Sequence, residues 1–349
     1  MSSSKTPIRT AIIGYGISGE LSHAQRIAGI PEYKIVAVCD TSEKRRKKAM
    51  DELGCDTYSS HKDLLPLADQ IDLVCVVTRS DTHCEIAIDC LRAGIDALIT
   101  KPWVLDQSEA DRLLAASAES RSRIFPWMPM YWSPEYLTAK DLIQSGRIGD
   151  PFIFRRYICQ FWRRNDWQTQ SSFGGGYLLN WGMHIVQPLL DLANSPVKRV
   201  SGFLQQYLNP GDADDNFQVI MEFENGARAI AEFTEAIDGL PTLMVQGTKG
   251  TILSNQKKIA VLEKDPDSNQ EPVRHEYPIG ENVYGDEVAI YRDLAQTILH
   301  GTPFSATIEA AYQGTLVLDA ARKSHHTGQS ISIPDFNLPE PAGKPASNA

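Results

Sequence analysis

Three short stretches bring together residue types that have chemical uses. Gly14-Tyr15-Gly16-Ile17-Ser18-Gly19 lacks side chains at three points, so its main chain can approach a phosphate closely. Lys101-Pro102 places an ammonium group directly after the apolar run Ala97-Leu98-Ile99-Thr100, and the proline fixes the turn that carries it. Asn180, His184 and Gln187 follow Gly174-Gly175-Gly176 at spacings i, i+4 and i+7, which puts them on one helical face among Leu178, Leu179, Ile185 and Val186. An imidazole can take a hydroxyl proton near neutral pH, and an ammonium can stabilise an oxyanion. The plainer account is a core histidine with polar neighbours and a lysine that serves solubility. A polar stripe on an otherwise apolar helix, directly after three glycines, is better explained by a cleft.

These residues need elements to position them. From about Ile8 to Phe125 short β-branched runs alternate with helical periods, the pattern of a parallel sheet built from βαβ units. Strands are expected at Arg9 to Ile13, Lys34 to Cys39, Leu73 to Val77, Ala97 to Ile99 and Arg123 to Pro126. Thr82-His83-Cys84-Glu85 reads as a capping box with Gly94 as the helix stop, and Asp106 to Glu109 can open the next helix in the same way. In doubly wound sheets ligands sit beyond the carboxyl ends of the strands, the edge on which Lys101 falls. Asp40 ends the second strand, about twenty residues after the glycine loop, where it can accept from a ribose 2′-OH. Its charge would repel a 2′-phosphate, which favours NAD over NADP, although Arg45 and Arg46 follow closely enough to accept one.

After Pro126 the composition turns aromatic and irregular. A helix is expected from Ser133-Pro134 to Gly146, then antiparallel strands that include Asn216 to Phe223 and Arg228 to Thr234 around the turn signal Asn225-Gly226. Further helices are expected over Gly176 to Ala193, with a kink or early end at Pro188, over Asp286 to Leu299 and over Ile308 to Lys323. The run Phe161 to Gln168 mixes aromatic faces with polar arms, suited equally to a sugar ring and to a subunit interface. The fold class is therefore α/β: a Rossmann doubly wound parallel sheet over residues 7–126, an α+β domain over 127–334, and a tail over 335–349 containing Pro339, Pro341 and Pro345.

Bulk properties exclude several classes. At 349 residues two domains are expected, and a formal charge of −10 argues against a nucleic-acid surface. The basic run Lys44 to Lys48 reads as a solvated helix face. No signal-peptide core follows Met1, and no stretch reaches the roughly 18 apolar residues of a membrane span, so a cytoplasmic location is expected. The six cysteines show no C-x-x-C spacing and read as reduced packing residues, and the histidines form no metal-ligand set.

In this order the motifs resemble the glucose-fructose oxidoreductase, inositol dehydrogenase and rhizopine-catabolism family, Gfo/Idh/MocA, over nearly the whole chain from Gly14 to about Pro334. The resemblance rests on the glycine loop with Asp40, on Thr82-His83 to Ala93-Gly94 leading to Thr100-Lys101-Pro102 where the family has Glu-Lys-Pro, and on Gly174 to His184. Thr100 replaces the family's glutamate, Asn180 its aspartate and Gln187 its final aspartate. The family implies an open, mostly antiparallel second sheet, often the dimer interface, and a lysine with an Asp/His pair where hydride is transferred. Those roles fall on Lys101, Asn180 and His184. The implied cofactor-binding set is Gly14, Gly16, Ile17, Ser18, Gly19, Asp40, Arg45, Thr78, His83 and Lys101. Arg163, Asp166, Trp167 and Tyr284, with Asn180 and His184, are the candidates for holding substrate. The resulting expectation is an NAD-dependent dehydrogenase, homodimeric or homotetrameric, acting on a secondary hydroxyl of a cyclic sugar, sugar derivative or polyol. An NAD-using lyase or glycoside-cleaving enzyme with transient oxidation, and a non-catalytic sensor, are the alternatives.

Overall fold

The computed structural model describes residues 7–237, 239–280, 284–336 and 338. The tail expected from residue 335 lies mostly outside the described residues.

The chain divides into two compact units. The first carries β1 (Ile8–Ile13), β2 (Tyr33–Cys39), β3 (Asp56–Tyr58), β4 (Leu73–Val76), β5 (Asp96–Ile99) and β6 (Ile124–Pro126). All pair in parallel, in the order β3-β2-β1-β4-β5-β6. The order reverses between β1 and β4, the place where doubly wound sheets open a crevice at their carboxyl ends. Every residue of β4 is buried, as a strand covered on both faces requires. The five expected strands all form, each end within one residue of its expected place. The sixth, β3, gave no signal because three half-exposed residues are too few to show a period.

The capping box at Thr82 does not form. A 3₁₀ turn over Ser80–Thr82 runs directly into the helix His83–Arg92, so Thr82 is already helical and its hydroxyl donates back to the Arg79 carbonyl at 2.8 Å. Glu85 instead pairs with Arg112. At Gln107–Ser120 half of the expected device forms: Asp106 accepts from Glu109 N at 2.9 Å, but the Glu109 carboxylate reaches one residue beyond the cap and accepts from Leu105 N at 2.8 Å.

The helix Glu287–His300 belongs to this first unit. Tyr33 donates to the Tyr291 carbonyl at 2.7 Å, and the Tyr291 hydroxyl lies 2.6 Å from His23 Nδ1. Burial drives the His23 pKa down to about 3, so this imidazole stays neutral and packs as an aromatic, 4.5 Å from the Trp127 ring.

The second unit holds nine strands: β7 (Pro151–Cys159), β8 (Val197–Gln205), β9 (Asn216–Phe223), β10 (Arg228–Thr234), β11 (Leu243–Gly247), β12 (Gly250–Ser254), β13 (Lys258–Glu263), β14 (Val273–Pro278) and β15 (Ile331–Ser332). Their order is β14-β13-β12-β11-β7-β10-β9-β8-β15, antiparallel except for the β7/β10 pair. Strand β9 alternates half-buried and buried residues without a break, which leaves one sheet face covered and one open. The helix Tyr177–Ala193 packs on the covered face, with the Tyr177 ring 4.6 Å from Phe233. It does not end early at Pro188. Pro188 has no N–H to donate to the turn before it, but Leu189, Leu190, Leu192 and Ala193 are buried beyond it, and that burial outweighs the missing donor. The buried Glu135 accepts from Arg156 at 2.7 Å and from Thr242 and Ser254 at 2.6 Å each, tying the helix Pro134–Gln144 to β7 and β12. Among the described residues no helix is long and apolar enough to cross a membrane.

Candidate active site

In the first unit the glycine loop leads into a helical run over 17–28, wound as a π-helix over Gly19–Ala24. Gly14 adopts φ +99°, and a Cβ there would stand 2.4 Å from the Val77 carbonyl oxygen, so the turn after β1 can close on the turn after β4 only with glycine. Gly16 differs. A Cβ there would meet only Arg45 Nη1, at 3.9 Å, which leaves open space beside the first free N–H groups of the helix. Ile17 and Ser18 are exposed on the same turn.

The Asp40 carboxylate is buried beneath this loop. Its oxygens accept from Tyr15 N and Ser42 N, each at 2.8 Å, and Arg45 Nη1 lies 3.5 Å away. These contacts fix the carboxylate at the end of β2, and Oδ1, which accepts from Ser42 N, keeps a second lone pair able to accept from a ribose hydroxyl. Arg46 donates to the carbonyls of Asp40 and Thr41 at 2.8 and 3.0 Å. Of the two arginines, Arg45 is thus the one turned toward the loop. An open glycine cradle, a helix N-terminus and a fixed carboxylate fit a dinucleotide.

His83 is buried with Nδ1 2.8 Å from the Pro102 carbonyl and Nε2 3.0 Å from the Thr78 carbonyl. It therefore ties the turn after β4 to the turn that carries Lys101. Burial lowers its pKa, so the neutral ring donates to one of the two carbonyls.

In the second unit the helix Tyr177–Ala193 buries every residue except Asn180, Trp181, His184 and Asp191. Asn180 Nδ2 donates to Gln168 Oε1 at 2.5 Å. Gln168 is held by a 3₁₀ turn, Trp167–Thr169, whose cap is Asp166, accepting from Gln168 N at 2.9 Å. Asp166 also pairs with Arg164 at 2.8 Å, while Arg163 is exposed. The rings of His184 and Tyr284 lie 5.8 and 5.7 Å from that of Trp181. Asn180, His184 and Tyr284 are thus brought into one neighbourhood. Asp166 and Trp167 join it through Gln168, and Gln187 lies a turn deeper, buried, donating to the Tyr131 hydroxyl at 3.1 Å.

The start of this helix is set from outside it. Asp214 accepts from Leu178 N at 2.7 Å, and its main-chain carbonyl accepts from Tyr177 N at 2.8 Å. Burial raises the Asp214 pKa to about 6, against the pull of those N–H groups. Neither Gln168 nor Asp214 stands out from the sequence as a site residue. Gln168 lies within an aromatic run whose rings are the stronger signal, and Asp214, inside Asp212-Ala213-Asp214-Asp215, carries no local signal.

A six-stranded Rossmann unit with an open glycine cradle, followed by a nine-stranded sheet that bears a polar helix, defines a two-unit nucleotide-dependent oxidoreductase architecture. Residues 8–126 match the oxidoreductase family with an NAD-binding Rossmann fold, and residues 136–253 match the Gfo/Idh/MocA C-terminal domain. The chain belongs to the Gfo/Idh/MocA oxidoreductase family, and its first unit is the family's NAD-binding domain. It is 28% identical over 220 residues to the uncharacterized oxidoreductase YdgJ of Escherichia coli, a match that spans 62% of each chain. It is 23% identical to the scyllo-inositol 2-dehydrogenase (NADP(+)) IolW of Bacillus subtilis, over 93% of this chain and 96% of that one. In fold it is similar to a levoglucosan dehydrogenase solved with NADH and levoglucosan, with a TM-score of 0.83 and 21% identity over 94% of this chain and all of the other.

Proposed function

We propose that this chain is an NAD-dependent dehydrogenase that oxidises a secondary hydroxyl of a cyclic sugar, sugar derivative or polyol, or reduces the corresponding ketone. The observation that carries this reading is the helix Tyr177–Ala193, which is buried along its length yet keeps Asn180 and His184 partly open on one face. His184 takes the hydroxyl proton, the Lys101 ammonium stabilises the developing alkoxide, and Asn180 orients the hydroxyl. NAD, when bound, supplies the hydride acceptor. Asn180 cannot carry the negative charge of the family's aspartate, so a protonated His184 receives only hydrogen-bonding support from it. His83 acts here as a support for the Lys101 turn.

The test is NADH formation with a panel of inositols, glycosides and sugars, for the wild type, His184→Ala and Lys101→Ala. Both variants should lose about 10²-fold or more in kcat while binding NAD as before. Loss of NAD binding with unchanged chemistry would sink the assignment. Turnover without any build-up of NADH would point to transient oxidation, and binding without turnover to a sensor. Asp40 should make NAD bind more tightly than NADP, and equal affinities would show that Arg45 reads the 2′-phosphate instead.

A second copy of the chain is the partner we infer. On the open sheet face Ile220, Ile230, Met244 and Leu253 stand in one row across β9, β10, β11 and β12, interrupted only by Arg155 of β7. Four half-exposed apolar residues in a row suit burial against an identical face. Light scattering at micromolar concentration that finds only the 38.7 kDa species counts against it.

A further inference from the structure

Trp181 takes no part in the proton and hydride chemistry above, yet its ring lies beside that of His184, which does. Its indole stacks on Phe233 of β10, with centroids 5.3 Å apart and planes 29° apart. The rings of His184 and Tyr284 stand steeply to it, at 62° and 63°. Phe233 is itself wedged by Tyr177 and Phe217, at 4.6 and 6.3 Å. The indole is therefore braced by a buried aromatic stack. Every other apolar residue of its helix is buried, whereas Trp181 stays partly exposed and Tyr284 is 41% exposed. Large aromatic surface kept open beside a proton acceptor, and held rigid by its neighbours, is the form of a recognition wall.

We propose that Trp181, flanked by Tyr284, selects ring-shaped substrates, pyranosides or cyclitols, over open-chain polyols. The inference rests on the dehydrogenase reading above and narrows it. A six-membered ring holds several C–H groups on one face in a rigid patch, and that patch can lie against an aromatic surface while a ring hydroxyl reaches His184. An open chain carries the same groups, but it must freeze several rotors to present them together, and the lost freedom weakens its binding. Trp181 is on this account a specificity-determining residue that acts on substrate binding.

The experiment compares myo-inositol and methyl β-glucoside with sorbitol and ribitol as substrates, with NAD, for the wild type, Trp181→Ala and Trp181→Phe. The wild type should favour the rings at least tenfold in kcat/KM. Trp181→Ala should raise KM for the rings about tenfold, leave kcat within about threefold and lose most of the preference, and Trp181→Phe should restore most of it. Open-chain substrates used as well as rings by the wild type, or an unchanged ring KM in Trp181→Ala, overturn the proposal. If none of the four is turned over, the dehydrogenase reading is in question, and binding answers separately. Saturation-transfer NMR should then show ring contact in the wild type and Trp181→Phe but not in Trp181→Ala. No ring contact in the wild type overturns the wall itself.

Discussion

Two glycines of this chain, Gly16 and Gly175, do opposite things. At Gly16, in the first unit, a side chain would enter space bordered only by Arg45, whereas at Gly175, in the second, it would stand 2.5 Å from the Gln168 carbonyl oxygen and 2.6 Å from that of Gln170. Gly16 withholds a side chain where something else can enter, although Gly14 of the same turn closes on the protein itself, with the Val77 carbonyl oxygen 2.4 Å from where its Cβ would stand. Gly175 withholds one so that the protein can close on itself, with Gly175 N and Gly176 N donating to the carbonyls of Gln170 and Gln168 at 3.0 and 2.9 Å. The same closure sets Gln168 against Asn180 and fixes where the helix bearing His184 begins. Glycine at one site serves a ligand and at the other serves the placing of side chains, and only contacts distant in sequence tell the two apart.

That contrast can be broken by a single methyl group at each site. Gly175→Ala forces the main chain at 168–170 away from the helix start, and a shift of about 1 Å in Asn180 and His184 should cost about 10²-fold in kcat with NAD affinity unchanged. Gly16→Ala should do the reverse: NAD binding weaker by about tenfold, kcat at saturation nearly kept, and the melting temperature unaltered, because the methyl meets only Arg45 Nη1, at an ordinary contact distance of 3.9 Å. Isothermal titration with NAD and steady-state kinetics on both variants decide it. If Gly16→Ala instead lowers the melting temperature and spares NAD affinity, its turn is a packing device like the other.

The two units were also unequally legible. In the first, β-branched runs and the spacing of Gly14, Gly16, Gly19 and Asp40 are local signals, and the strands appeared within one residue of their places. What failed there was also local but finer: the 3₁₀ turn at Ser80–Thr82 moves the helix start upstream of Thr82, so a fitting cap sequence ends up without its role. In the second unit the hairpin of β9 and β10 was visible in its alternation, but β11 to β14 were not, and the survival of the helix past Pro188 depends on what its last turn packs against. The residues that hold Asn180 and the helix start, Gln168 and Asp214, lie 12 and 36 residues from their partners, Asn180 and Leu178. Such pairs are made by the folded sheet and leave no period or motif in the chain.

Asp214 gives the smallest and most specific test of how the turn at Gly175 is held. Gly176, at φ +101°, leaves room for this carboxylate, since a Cβ there would stand 2.4 Å from Asp214 Oδ1. Burial raises the pKa of the folded-state carboxyl from the ordinary 3.8 to about 6. The folded chain therefore holds a proton there more tightly than the unfolded chain does. The resulting stabilisation is complete below about pH 4 and is lost as pH rises through 6, where a carboxylate must ionise in a partly dry place. The side-chain amide introduced by Asp214→Asn would keep an oxygen able to accept from Leu178 N but could not ionise. Melting curves across pH should show the variant gaining on the wild type as pH rises from about 4 to about 7, by a few degrees at most, with little difference at the acid end. A difference that stays constant with pH, or grows toward acid, means that the N–H groups of the helix start outweigh burial, and that the charge on Asp214 is what anchors the helix bearing His184.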